Sequence, residues 1–142
     1  MSTQAGRLTL LRWILAFSVL STAIHFTHNF VEIHRYPDDL VSADVIQVAI
    51  IVSWPLFTAI GVCGYRLYSQ RRFGPAHACL ASYSLLGLTT PGHFLDATPD
   101  IAPFWFATIF TDGLAGLAIL AFTVWSMRAT GSRAAVAAGR AS

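Results

Sequence analysis

Four long apolar segments dominate the chain, and short polar stretches separate them. The segments run over about residues 8–33, 44–67, 75–93 and 103–127. Each is close to the roughly 20 apolar residues that a helix needs to cross a hydrocarbon core. Because lipid cannot satisfy exposed backbone groups, helix is the predicted state of every segment. The short connections predict an all-α, antiparallel bundle of four transmembrane helices.

Each segment also carries polar and small residues at steps of three or four, which places them on one helix face. In membrane helices such faces turn toward the bundle interior. The four faces therefore predict one shared polar interior, and their residues are Ser21, His25, His28, Glu32 and Arg35, then Gln47, Trp54, Thr58, Gly61 and Tyr65, then Ser82, Thr89 and His93, and finally Trp105, Thr108, Asp112, Gly116 and Thr123.

The depth of the ionisable residues predicts a cavity that opens on one side of the membrane. At about 1.5 Å per residue, Asp112 lies about 15 Å from the near end of its helix, close to the midplane. Trp54 lies at a similar depth, whereas His28, Glu32 and His93 lie nearer the surface. We expect Trp54, Tyr83, Trp105 and Thr108 to line this pocket.

Composition supports a lipid environment. Of 142 residues, 55% are hydrophobic and only 11% are charged. Ordinary soluble domains carry about 25% charged residues. The sequence shows neither a basic stripe nor a known nucleic-acid-binding motif, so nucleic acid is not an expected partner. One transmembrane domain over residues 1–128 is predicted, and residues 129–142 have little to bury and are predicted to form a disordered tail.

The arginines predict the orientation in the cell membrane. Eight of the nine lie before the first segment or at its start, in the second connection, or after the fourth segment: Arg7, Arg12, Arg66, Arg71, Arg72, Arg128, Arg133 and Arg140. Acidic residues dominate the opposite side, where Arg35 is the one arginine. Arginine-rich connections remain cytoplasmic, which predicts that both termini are cytoplasmic.

Metal binding is the first functional hypothesis. His25 and His28, with Glu32 four residues further on, place three nitrogen and oxygen ligands on one helix face. His93 and Asp112 complete a candidate ligand set suited to zinc, iron or manganese. Alternatively, His28 and His93 act as axial ligands of a haem held between two helices.

A second hypothesis is acid–base catalysis on, or carriage of, an isoprenoid- or sterol-like lipid. Asp112 and His25 are its catalytic residues, because a paired carboxyl and imidazole in a dry pocket can move a proton. In a third hypothesis these groups form only polar helix–helix contacts within a membrane scaffold. Small residues at Gly113, Ala115 and Gly116 also permit homo-oligomerisation.

Three runs of sequence carry a resemblance: TAIHFTHNFVEIHRYP, LLGLTTPGHF and FATIFTDGLAGLAILAF. Through them the chain resembles an uncharacterised group of small four-helix integral membrane proteins of high-GC bacteria, over about residues 8 to 127. The resemblance implies the fold and the membrane location, and it implies no activity.

Overall fold

The computed structural model describes residues 3–35, 41–94 and 100–139, apart from the side chains of His93 and of residues 132–139. These residues form four α-helices, and the predicted all-α bundle is confirmed. The helices are α1 (Gln4–Val31), α2 (Ala43–Ser69), α3 (Phe73–Leu88) and α4 (Pro103–Gly139). Short 3₁₀ segments follow α1 and α3, at Ile33–Arg35 and Thr90–Phe94.

Hydrogen bonds at both ends of the pair fix α1 and α2 as antiparallel neighbours. At one end, the side-chain amide of Gln4 donates to the Tyr68 carbonyl over 3.3 Å. At the other, the Gln47 amide donates to the Phe30 carbonyl over 2.8 Å. A tight turn then reverses the chain into α3, where Arg71 adopts a left-handed backbone conformation with a φ of 61°.

Helix α4 returns to lie antiparallel to α1 and closes the bundle. The guanidinium of Arg7, near the start of α1, lies 5.0 Å from the centroid of the Trp125 ring. Toward the other end, the hydroxyls of Ser21 and Thr111 are 3.0 Å apart. The start of α1, the turn between α2 and α3, and the later part of α4 therefore lie at one end of the bundle.

Three of the described helical stretches are long and apolar enough to cross a membrane: α1, α2 and the Pro103–Gly131 part of α4. The α-helical part of α3 has 16 residues and is shorter. Together with its 3₁₀ extension it reaches about 34 Å, at roughly 1.5 Å per α-helical and 2.0 Å per 3₁₀ residue. That length matches a hydrocarbon core of about 30 Å.

Two helix ends differ from the predicted ones. Helix α3 ends at Leu88 rather than continuing to His93. Threonine hydroxyls satisfy two of the last carbonyl groups of the helix: Thr89 donates to the Leu86 carbonyl and Thr90 to the Gly87 carbonyl. Pro91 follows and has no N–H with which to continue the α-helix.

Helix α4 is longer than its predicted span. The sequence predicts that the fourth span ends near Met127 and that a disordered tail follows, but helical backbone continues to Gly139. The stretch after Met127 is rich in alanine, which has the highest helix propensity of all residues. Residues 140–142 of the predicted tail lie outside the described part of the chain.

Glycines set the spacing between α3 and α4. An added Cβ at Gly116 would lie 2.7 Å from the Ser84 carbonyl oxygen, and one at Gly87 would meet the backbone oxygen of Asp112. The two backbones therefore touch. Ala115 and Gly116, which the sequence offers as a dimerisation surface, are buried inside the chain by this contact.

Packing is uneven around the bundle. An apolar core fills the arginine-rich half and includes Leu11, Leu15, Leu80, Ile119 and Phe122. Helix α2 contributes little to it: only 6% of its apolar window is buried, against 33% for α1 and 44% for α4. Almost half of the α2 residues are exposed, and the seam between α1 and α2 remains partly open.

Candidate functional site

A cluster of hydrogen-bonded polar side chains lies in the middle of the bundle, where the sequence predicts a polar interior. His25 of α1 is its central member and is fully buried. Its Nδ1 lies 3.2 Å from the Thr108 hydroxyl of α4, and its Nε2 lies 3.2 Å from the side-chain nitrogen of Asn29. Both ring nitrogens therefore have hydrogen-bonding neighbours within the protein.

A second set of contacts connects three helices through hydroxyl groups. The indole N–H of Trp54 in α2 donates to the Thr22 hydroxyl over 3.2 Å. Thr22 in turn donates to the Ser18 carbonyl over 2.9 Å. The Ser18 hydroxyl donates to the Tyr83 hydroxyl of α3 over 3.2 Å. A polar path thus leads from the lipid-facing α2 to the buried Tyr83.

Asp112 is the least satisfied polar residue of this region. Its side chain is fully buried. Among the residues that the structure describes, neither of its carboxylate oxygens has a hydrogen-bond partner. It lies one helical turn beyond Thr108 on the same face of α4, and Thr108 contacts His25. A buried carboxyl without a partner destabilises a membrane bundle, and such residues are typically functional.

His28 and Glu32 are placed differently from His25. The His28 ring stacks on Trp105, with 4.3 Å between ring centroids, and is buried by this contact. Helix α1 ends at Val31 and Glu32 is its C-cap, so Glu32 leaves the inward face of the helix. Its carboxylate pairs with the Arg35 guanidinium over 2.8 Å, and both side chains are exposed to about half their area.

The predicted metal ligands are therefore not assembled in the described part of the chain. There, no group of three or more His, Cys, Asp or Glu side chains is placed to hold a metal ion. Glu32 points away from the interior, and His25 is engaged by Thr108 and Asn29. The side chain of His93, a predicted metal and haem ligand, lies outside the described residues.

An apolar groove runs along the seam between α1 and α2. Its outer half has a volume of about 400 Å³ and is lined by Ala23, Phe26, Thr27, Phe30, Ile50, Ile51, Trp54 and Pro55. Its arginine-side half has a volume of about 470 Å³ and is lined by Arg12, Leu15, Ala16, Val19, Leu20, Ala23, Trp54, Val62 and Tyr65. Ala23 and Trp54 line both halves, so the two halves adjoin at the Trp54 indole, which reaches across the seam to Thr22 of α1.

The four predicted pocket residues occupy four different environments. Trp54 lines the α1–α2 groove. Thr108 lines a smaller cavity of about 200 Å³ between α1 and α4. Tyr83 is buried between helices, and Trp105 packs on His28. Among the described residues a lateral groove lies in front of the polar cluster, whereas the predicted outward funnel stays a prediction, because residues 36–40 and 95–99 at its outer end lie outside the described part of the chain.

A second buried network, at the arginine-rich end, was not predicted. The Tyr68 and Ser126 hydroxyls are 2.8 Å apart, and His77 Nε2 lies 3.1 Å from the same Ser126 oxygen. The sequence suggests an interfacial anchor for Tyr68 and a helix-end role for His77. Ser126 continues the polar face of α4 three residues after Thr123, and this spacing is the signal that points to the network.

Comparison with known proteins gives no relative: no family model, no curated protein and no solved structure matches this chain.

Proposed function

We propose that this chain is a multi-pass cell-membrane protein that binds an isoprenoid-type lipid in the groove between α1 and α2. The groove holds the lipid against Trp54, next to the polar cluster of the bundle. The observation that carries this proposal is the pair of adjoining apolar cavities that make up the groove, whose outer half alone has about 400 Å³. Small-molecule sites in proteins typically occupy about 300–1,000 Å³.

The position of the groove favours a ligand that arrives through the bilayer. Helix α2 is the least buried of the three long apolar helices, so the seam beside it opens sideways to lipid. Its lining is apolar except for a few groups, and Trp54 contributes aromatic surface to it. Because the Trp54 N–H is already bonded to Thr22, the indole is held in place before a ligand arrives.

The proposal includes four crossings with both termini in the cytoplasm. In the described residues, Arg7, Arg12, Arg71 and Arg72 lie at the bundle end where α1 begins and α2 joins α3. Arg128 lies one turn beyond Trp125, which contacts Arg7 at that end. This concentration of arginine supports a cytoplasmic location for that end.

Acid–base chemistry on the bound lipid is a second candidate, favoured by one specific observation. Asp112 is a fully buried carboxyl whose oxygens have no partner within the described residues. Such a group is available to exchange a proton, and it lies one helical turn from Thr108, which contacts His25. Metal and haem binding stay predictions with less support, because Glu32 pairs with Arg35 at the surface.

Energy transfer from Trp54 to retinol tests lipid binding in the groove. Retinol is an isoprenoid whose absorption overlaps tryptophan emission, and a W13F/W105F/W125F variant retains Trp54 as its only tryptophan. We expect saturable transfer in nanodiscs. Adding Ala23→Phe fills the groove where its halves meet, and we expect binding to weaken about tenfold, or about 1.4 kcal/mol.

Ala121→Phe is the matched control, since Ala121 is exposed on α4 away from the groove. It should leave retinol binding unchanged. Equal transfer in the Ala23→Phe and Ala121→Phe proteins would mean that retinol meets Trp54 only as bulk lipid, and the proposal would be wrong.

A further inference from the structure

We infer that the lipid bound in the α1–α2 groove is a polyisoprenyl phosphate, with its phosphate on Arg12 and its chain lying along the groove past Trp54. This inference rests on the proposed function and names the class of its ligand. It is based on two observations. Arg12, which lines the arginine-side half of the groove, forms no ion pair or hydrogen bond within the described residues, and the apolar groove is longer than one leaflet.

Arg12 is the only charged residue that lines the arginine-side half of the groove. Its guanidinium is exposed, and it takes part in no ion pair, hydrogen bond or ring contact within residues 3–35, 41–94 and 100–131. Arg7, in contrast, is buried against Trp125. An arginine about two turns into a span extends its long side chain toward the headgroup region, where phosphate is the available anion.

The length of the groove distinguishes between anionic lipids. From the level of Arg12 to that of Phe30, α1 rises through eighteen residues, or about 27 Å. A lipid of one leaflet has a chain depth of about 15 Å, half of the hydrocarbon core. A glycerophospholipid anchored at Arg12 therefore fills little more than the arginine-side half. A single long isoprenoid chain can follow the groove through both halves.

The chemistry of the lining fits the same ligand. Beyond Arg12 the groove presents branched and aromatic carbon surface, including Val19, Leu20, Val62 and Trp54. The outer half continues with Phe26, Phe30, Ile50 and Ile51. Apart from the engaged Trp54 N–H and the Thr27 hydroxyl, the outer lining offers no polar side chain, so the polar end of the ligand belongs at Arg12.

Displacement of retinol from the single-Trp54 protein tests the inference. The competitors are geranylgeranyl phosphate, geranylgeraniol and phosphatidylglycerol, each titrated into nanodiscs of phosphatidylcholine. We expect the phosphate to displace retinol at about five- to tenfold lower concentration than the alcohol, because a guanidinium near the membrane surface favours an anion by roughly this factor. Phosphatidylglycerol should displace retinol less effectively than geranylgeranyl phosphate.

Arg12→Gln should abolish the difference between phosphate and alcohol, and Arg12→Lys should keep part of it. Arg71→Gln is the matched control: Arg71 lies at the same bundle end but does not line the groove, so the difference should persist.

Equal displacement by phosphate and alcohol in the unmodified protein would overturn the inference and leave the groove as a neutral isoprenoid site. Phosphatidylglycerol acting as well as geranylgeranyl phosphate would overturn it in favour of a phospholipid. If no isoprenoid displaces retinol, the proposed function fails as well.

Discussion

Replacing Gly116 by alanine is expected to destabilise the bundle by about 1–3 kcal/mol, as typical overpacking substitutions do. An added Cβ would lie 2.7 Å from the Ser84 carbonyl oxygen and 2.9 Å from the Leu88 amide nitrogen. Both neighbours are backbone atoms of α3, so neither can rotate away as a flexible side chain does. The helices must separate instead, which weakens packing along the whole contact.

The effect should exceed the intrinsic helix preference for alanine over glycine, which favours the variant by about 1 kcal/mol. The chain provides a control three residues away. An added Cβ at Gly113 meets only ordinary contacts, the nearest being the Thr90 hydroxyl at 3.8 Å. We therefore expect Gly113→Ala to be neutral or stabilising. Unfolding in mixed micelles, followed by circular dichroism, measures both variants, and equal stabilities would contradict the backbone contact between α3 and α4.

Replacing Asp112 by alanine is expected to stabilise the protein by about 1–2 kcal/mol. The carboxyl is fully buried, and its oxygens have no hydrogen-bond partner in the described part of the chain. Leaving such a group unsatisfied costs about 1–3 kcal/mol, and removing it recovers that energy. The small cavity left behind reduces the gain, at about 24 cal/mol per Å³.

Thr123→Val is the control for Asp112→Ala. Thr123 is also buried on the inner face of α4, but its hydroxyl donates to the Ile119 carbonyl over 2.8 Å. Removing a satisfied group should have little effect on the free energy of unfolding. Destabilisation of more than about 1 kcal/mol by Asp112→Ala would show that the carboxyl supports the fold. Stabilisation would show that the native Asp112 lowers the stability of the fold. That is expected of a residue that serves a function such as proton exchange.

The helices and the interior faces of α1 and α4 were predictable because both follow from local periodicity. Hydropathy identified the apolar segments, and steps of three or four placed His25 and Thr108 on inward faces, where they meet. Trp54 was likewise placed at mid-depth, and it contacts Thr22 of α1. These inferences need only the geometry of a helix and the preference of polar groups for the interior.

Features that depend on helix ends and on pairing were not predictable in this way. Glu32 shares the periodicity of His25 and His28, but α1 ends at Val31, so Glu32 turns outward to Arg35. The pairing of Tyr68 with Ser126 requires knowing how α2 and α4 face each other. The same holds for the groove, since it results from weak packing of α2 against α1 rather than from any one residue.

The most direct test of lipid binding is native mass spectrometry of the protein released from nanodiscs that contain cellular lipid extract. We expect one retained lipid per chain in the unmodified protein and in Ala121→Phe. In Ala23→Phe, where the groove is filled beside Trp54, we expect that lipid to be lost. Equal lipid retention in both variants, or none in the unmodified protein, would contradict a binding site between α1 and α2.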